Sequence, residues 1–368
     1  MRLFDPVALR ALTLANRIVV SPMCQYSAIE GCATDWHFAH WSQLLMSGAG
    51  MVTIEATAVT AEGRISPGDL GLYDDATETA LGDRLARVRR LAPPAAVALQ
   101  LAHAGRKGSS QPPWDGGRLI APADGGWIPV APSALPQRPD EPPPAALDAM
   151  GLEEVRAAFA AAAARALRTG VDALELHFAH GYLLHEFLSP LANHRTDVYG
   201  GAFDNRVRFP LEVFDAVRAV WPQDRPLGVR LSCTDWVEGG WTLDESIELA
   251  RLLVARGCDF IDASSGGVSS AQKIPVGPGY QVPFARAIRA ATGAVTIAVG
   301  MIREPAQADA IVRAGEADLV AMARAILWDP RWAWHAAVEL GGRVIAPPQY
   351  FRALPREAAA SFEMKLGR

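Results

Sequence analysis

The chain has 368 residues, half of them hydrophobic, with a formal net charge of −5. That is ample for a large core, and the interspersed charges leave no basic stripe for nucleic acid or an anionic membrane. No run of about 18 uncharged apolar residues occurs, so no membrane-spanning helix is expected.

The opening MRLFDPVALR lacks the apolar core of a secretory leader. Cys24, Cys32, Cys233 and Cys258 form no C-x-x-C pair. This fits a reducing compartment and a soluble cytoplasmic protein.

Residues 1–16, ending at Asn16, are expected to form a short hairpin that plugs the bottom of the fold. Apolar runs rich in β-branched residues follow: RIVVSPM (17–23), GMVTIEATAV (50–59), AAVALQLAHAG (95–105) and DALELHFAHG (172–181). Then come PLGVRLSCTD (226–235), DFIDASSGG (259–267), AVTIAVGMI (294–302) and ADLVAMARA (317–325). Near-continuous apolar strands belong to a sheet buried on both faces, hence a parallel one. Helical patterns separate them at 35–47, 76–91, 152–168, 205–221, 243–256, 282–292, 305–314 and 331–340.

Thr242 before LDES is an N-cap with acidic residues in the first turn, and Gly170, Gly257 and Gly315 stand where helices end. Eight strand–helix alternations predict one (β/α)8 TIM barrel over residues 1–368. An open doubly wound sheet is the alternative, but no G-x-G-x-x-G opens a helix.

Residues 106–148 break the rhythm, being rich in Pro, Gly and Trp. Following strand three, they are expected to lie over the C-terminal mouth as a lid, with Trp114 and Trp127 buried. Residues 341–368 form a tail beyond the last helix.

In a barrel of this kind the working residues sit at the C-terminal strand ends. There the sequence places Cys24 and Tyr26, Glu55 and Ala56, Gln100 and His103, and His177, His180 and Tyr182. The later strands add Arg230, Ser264, Ser265, Gly266, Gly300 and Arg324. His177 and His180 supply two of the three ligands a catalytic zinc needs, but Arg230 and Arg324 would oppose a metal's charge. No metal is expected. A Cys24–His177 pair as a thiol nucleophile and its base lacks an orienting carboxylate.

An anionic aromatic cofactor suits the set better. Backbone N–H groups at SSGG and AVG (Gly266, Gly300) and the Arg324 guanidinium suit a phosphate, and Gln100 suits the amide-like edge of a flavin. Arg230 suits the charge of a reduced flavin. With no separate nucleotide fold, the cofactor is expected to be FMN.

The stretches SPMCQYSA (21–28), IEATAVTAEGRISPGDLGLY (54–73), QLAHAGRK (100–107), ELHFAHGYLLHEFLSPLANHRTDVYGG (175–201), NRVRFPLEV (205–213) and SSGG (264–267) resemble the old yellow enzyme family. Within it, the chain is similar to the cysteine-containing, thermophilic-like subclass. The resemblance runs along essentially the whole chain. It implies an FMN-dependent ene-reductase: NADPH or NADH reduces a tightly bound FMN, which passes hydride to the β-carbon of an α,β-unsaturated carbonyl compound.

It further implies that His177 and His180 bind the substrate carbonyl and that Tyr182 protonates the α-carbon. Tyr26 would line the pocket, and Cys24 would tune the flavin. The backbone of Ser21, Pro22, Met23 and Cys24, with Ala56, Gln100 and Arg230, would hold the ring. Ala323 and Arg324 would hold the phosphate. His185 and His194 read as scaffold. Arg352, in QYFRAL (349–354), would enter a neighbouring subunit's site and so imply a homodimer or homotetramer. The family often has Gly-Arg where this chain has Ala323-Arg324, which matters only if φ there is positive. Reduction of nitro compounds or nitrate esters on the same FMN site is the alternative activity.

Overall fold

The computed structural model describes residues 1–365. It opens on an antiparallel hairpin, β1 (Val7–Leu9) and β2 (Leu12–Leu14). Three barrel strands follow: β3 (Ile18–Val20), β4 (Met51–Ala58) and β5 (Ala96–Ala102). A two-residue parallel pair, β6 (Val130–Ala131) and β7 (Ala145–Ala146), lies within the insertion. The barrel resumes with β8 (Ala173–Phe178), β9 (Leu227–Ser232), β10 (Phe260–Ser264), β11 (Val295–Ala298) and β12 (Leu319–Met322). All eight barrel strands are parallel, and β12 pairs with β3 to close the ring.

Every residue of β4, β5, β8, β9 and β10 is buried, as expected for strands covered by helices outside and packed side chains inside. The covering helices are α1 (Asp35–Leu45), α2 (Asp75–Leu91) and α3 (Ala149–Thr169). After β8 come the short α4 (Leu183–Leu188) and α5 (Phe203–Arg206), then α6 (Arg208–Val220). The series ends with α7 (Leu243–Ala255), α8 (Val282–Thr292), α9 (Pro305–Arg313), α10 (Arg324–Trp328) and α11 (Trp332–Leu340). Thr242 and Glu245 form a reciprocal capping box at α7. Gly170, Gly257 and Gly315 take left-handed backbone with φ of 83°, 88° and 70°.

The hairpin does plug the bottom. Leu9 and Leu14 share one apolar cluster with Val19, Met51, Phe260 and Leu319 inside the barrel. Phe260 fits because Gly228 beside it has no side chain: a Cβ there would lie 2.2 Å from the ring.

The insertion reaches the mouth, but not by burying its tryptophans. Trp114 is 68% exposed, contrary to expectation, and meets Tyr26 edge-on at 5.4 Å. Trp127 is half-buried and donates its indole N–H to Glu62 O at 2.8 Å. Backbone hydrogen bonds such as Gln111 N to Arg118 O and Ile120 N to Ser109 O hold the segment instead.

The tail folds back on its own barrel. β13 (Val344–Ala346) pairs in parallel with β14 (Phe362–Met364), and Trp334 of α11 meets Tyr350 at 5.8 Å and Phe362 at 5.5 Å. Residues 366–368 of the expected tail lie outside the described residues. No described helix is long and apolar enough to cross a membrane.

Candidate active site at the barrel mouth

His177 is the fifth residue of β8, and the loop after it carries His180 and Tyr182 to the mouth. His180 has φ +60°, an unfavourable conformation for a non-glycine residue. Its neighbours hold it there. Lys107 of the insertion donates to His180 O at 2.7 Å and to Gly267 O at 2.5 Å. Ser232 Oγ accepts the His180 N–H at 2.9 Å and donates to Gly266 O at 2.7 Å. Gly267, at φ +97°, packs so closely that a Cβ would lie 2.5 Å from His180 Cα.

These bonds set the tautomers. His177 Nδ1 accepts the Ala179 N–H at 3.2 Å, so neutral His177 carries its proton on Nε2. That proton faces His180 Nδ1 at 3.4 Å, which leaves the His180 proton on Nε2, 2.7 Å from Ser264 Oγ. Burial, then the Arg230 charge, holds both imidazoles well below their usual pKa, so both are neutral. The site is therefore a pair of uncharged N–H donors.

Tyr182 is the N-cap residue of α4. Its ring meets His177 edge-on at 4.8 Å and lies 5.6 Å from the Lys107 ammonium. Burial, then the Cys24 sulfur, pushes its hydroxyl well above the usual range, so it keeps its proton. Cys24 and Tyr26 are half-buried on the loop after β3, with Tyr26 at φ +51°. Burial, then the charges of Asp69 and Glu55, raises the Cys24 thiol. A thiol held protonated is a poor nucleophile, which counts against the thiol-hydrolase chemistry.

Below the mouth, Gln100 donates to Glu175 Oε1 at 2.7 Å, and Arg230 Nε stands 3.3 Å from Asp262 Oδ2. Burial and then Asp262 raise Glu175 to about 8. Ser21 Oγ is buried without a hydrogen-bond partner among the described residues, and Arg230 Nε, though ion-paired with Asp262, makes no hydrogen bond there. Such orphaned groups fit a site that takes a polar ring.

A cleft of about 190 Å³ opens beyond Arg230, where β10, β11 and β12 end. Ser264, Gly300, Ala323 and Arg324 line it. Gly300 has φ +117°, and a Cβ there would lie 2.9 Å from Gln281 Nε2. Ala323 has φ −111°, so the position does not need the left-handed backbone that favours glycine. An exposed guanidinium beside glycine backbone fits an anionic phosphate.

Not every expected residue gathers there. Gly266 lies outside that lining; its N–H donates to Thr234 O at 2.8 Å and its carbonyl accepts from Ser232. The Ser21 N–H is taken by Met322 O at 2.9 Å, which leaves its hydroxyl as the free group. Pro22, Met23 and Ala56 line the upper barrel beside it as half-buried or buried residues. Arg352 is exposed on the tail.

His185 is scaffold: it is fully buried, 2.9 Å from Asp235 Oδ1, and accepts the Gly181 N–H at 2.8 Å. Lys107, Asp69 and Glu175 were missed by sequence reasoning. Lys107 could have been found, since it ends the motif QLAHAGRK. A larger hollow of about 470 Å³ lies at the opposite end of the barrel, by Leu12, Asn16 and Arg343, remote from these groups. Among the described residues no cluster of three or more His, Cys, Asp or Glu is disposed to hold a metal ion.

The chain is similar to known proteins along most of its length. The family model "NADH:flavin oxidoreductase / NADH oxidase family" matches residues 2–341. The chain is 44% identical over 352 residues to an NADPH dehydrogenase of Geobacillus thermodenitrificans, covering 95% of this chain and 98% of the relative. It is 40% identical over 353 residues to the NADPH dehydrogenase of Bacillus subtilis, again covering 95% and 98%. Among solved structures, morphinone reductase superposes with a TM-score of 0.74 at 26% identity, covering 100% of this chain and 94% of that one. A 2-naphthoyl-CoA reductase complex superposes with a TM-score of 0.81 at 25% identity, covering 93% and 52%.

Proposed function

The chain belongs to the NADH:flavin oxidoreductase / NADH oxidase family, that of the old yellow enzymes, and on that footing we propose that it reduces activated alkenes conjugated to a carbonyl group. Its cofactor is FMN and its electron donor NADPH or NADH. When bound, FMN supplies hydride for the β-carbon.

The chain's own groups do the rest. His177 and His180 donate N–H to the carbonyl oxygen and stabilise the negative charge that develops there. Being neutral, they donate without first paying for a buried cation. Tyr182, held protonated, gives its hydroxyl proton to the α-carbon. Tyr26, backed by Trp114, walls the pocket. Ser21, Pro22, Met23, Cys24, Ala56, Gln100 and Arg230 would hold the flavin ring, with Cys24 tuning its potential. Ala323, Arg324 and Gly300 would hold the phosphate. Arg352 would enter a neighbouring copy's site in a homodimer or homotetramer in the cytoplasm.

The carrying observation is the cluster of two neutral histidines and one protonated tyrosine within 5.1 Å of ring-to-ring contact. Its test is an anaerobic titration followed by visible spectroscopy. NADPH should bleach the flavin, and 2-cyclohexenone should restore the colour. Bleaching without recovery would keep the flavin chemistry and remove this substrate class.

A further inference from the structure

A void of about 10 Å³ lies beneath Tyr182, at the threshold volume for a single water. Ala56, Ala58, Ala102 and Ala104 are among its apolar walls, and its polar side chains are Arg64, Asp69 and Tyr182. Arg64 is committed elsewhere, donating to Ala61 O at 2.8 Å and Pro67 O at 3.3 Å. Asp69 is 3% exposed, and one carboxylate oxygen accepts the Ser66 N–H. Its loop is pinned to that of Tyr26: Ala28 N donates to Gly68 O at 2.7 Å, and a Cβ on Gly68 would lie 2.6 Å from Tyr26 O. The cavity thus joins one buried carboxyl to the tyrosine that faces the histidine pair.

We propose that Asp69 is the positioning residue that restores the proton of Tyr182, through one water held between them. This rests on the reading of Tyr182 as the donor to the α-carbon. In each cycle the Tyr182 O–H bond breaks as the substrate C–H bond forms. The Asp69 O–H then breaks, its proton crosses the water, and the Tyr182 O–H re-forms. Solvent returns a proton to the Asp69 carboxylate, so the net donor is water at no redox cost.

The electrostatics suit the task. Burial lifts Asp69 to about 7, against the lowering bonds to Ser66. Cys24 and Tyr26 from the β3 loop, Glu55 from β4, Arg64 from its own loop and Tyr182 are the titratable groups facing it. A carboxyl poised near neutrality both gives and regains a proton readily.

The test compares single-turnover reoxidation of the reduced holoenzyme by 2-cyclohexenone with steady-state kcat, across neutral pH. Wild-type kcat should fall as pH rises past about 7, because the carboxyl is then ionised. Asp69→Asn keeps the acceptor for Ser66 but has no acidic proton to give. It should leave single-turnover reoxidation unchanged, lower kcat by at least about tenfold and remove the pH dependence. Asp69→Glu should recover part of both. Tyr182→Phe should slow the single turnover itself.

An unchanged kcat in Asp69→Asn overturns the proposal, and so does slowing of both rates, which marks a merely structural role. If Asp69→Asn fails to fold, a wild-type kcat that does not fall past about 7 still overturns it. Normal single turnover in Tyr182→Phe would remove the reading beneath it.

Discussion

His180 Nε2 and Ser264 Oγ stand 2.7 Å apart, joining the loop after β8 to the end of β10. With the His177 Nε2–H facing His180 Nδ1, the serine hydroxyl accepts the proton on His180 Nε2. His177 is left with its Nε2–H in a long 3.4 Å contact, the donor most easily redirected to a ligand oxygen.

Replacing His177 with alanine should lower kcat/KM for 2-cyclohexenone by about 10²–10³, the usual loss for one oxyanion donor. The pH sign is also set. Because burial and Arg230 depress both histidines, they gain a proton only well on the acid side of about 6.5. kcat/KM for the enone should stay flat from there upward. A kcat/KM that falls as imidazolium is lost through neutral pH would contradict neutral donors.

Gly267→Ala places a methyl 2.5 Å from His180 Cα at φ +97°. It should cost more than about 1 kcal/mol of stability and displace His180. Alkene reduction should fall while FMN content holds. A variant with unchanged melting temperature and unchanged kcat/KM would show that the loop relaxes freely.

Arg324→Ala should weaken FMN binding by about 10–100-fold, the worth of one charge-assisted hydrogen bond to phosphate at about 1.5–3 kcal/mol. Flavin fluorescence titration of the cofactor-free protein measures this directly. Equal affinity would assign the phosphate to other groups.

Asp235 accepts from Ser189 Oγ at 2.6 Å and Trp241 N at 2.7 Å, beside His185. Burial pushes its carboxyl up, but His185 and these donors bring it below the usual range. A depressed acid contributes its stability above its unfolded pKa of about 3.9 and loses it as pH falls through the lower folded value. Asp235→Ala should therefore destabilise by about 3 kcal/mol at neutral pH. The gap from wild type in urea unfolding should narrow in strong acid.

Arg352→Ala should raise the enone KM severalfold if the tail completes a neighbouring site. Sedimentation at the assay concentration should show an oligomer in the same preparation. A monomer with unchanged kinetics would confine Arg352 to solvent.

Much of this was legible because a parallel barrel writes itself plainly. Its strands are apolar runs, and the residues at and just beyond their ends are the mouth, which is how His177, His180, Tyr182 and Arg324 stand out. Burial of single carboxylates leaves no such mark. Asp69 lies in a Gly-Pro-rich turn that looks solvated, and Glu175 alternates with apolar residues like any half-exposed strand position. Trp114 misled for the converse reason: a large aromatic implies burial, yet it rests edge-on against Tyr26 with most of its surface open. The three-residue strands of the tail carry too little periodicity to announce their pairing.

The pairing of Val320 with Ile18 binds the first barrel strand to the last. During synthesis, β3 must wait with one edge unpaired until Leu319–Met322 has left the ribosome. Closing a loop of that length is slow, and an open apolar edge invites association with other chains. A truncation ending before β12 should therefore aggregate rather than leave a smaller working enzyme. The segment from Leu319 onward is thus as necessary for solubility as for chemistry.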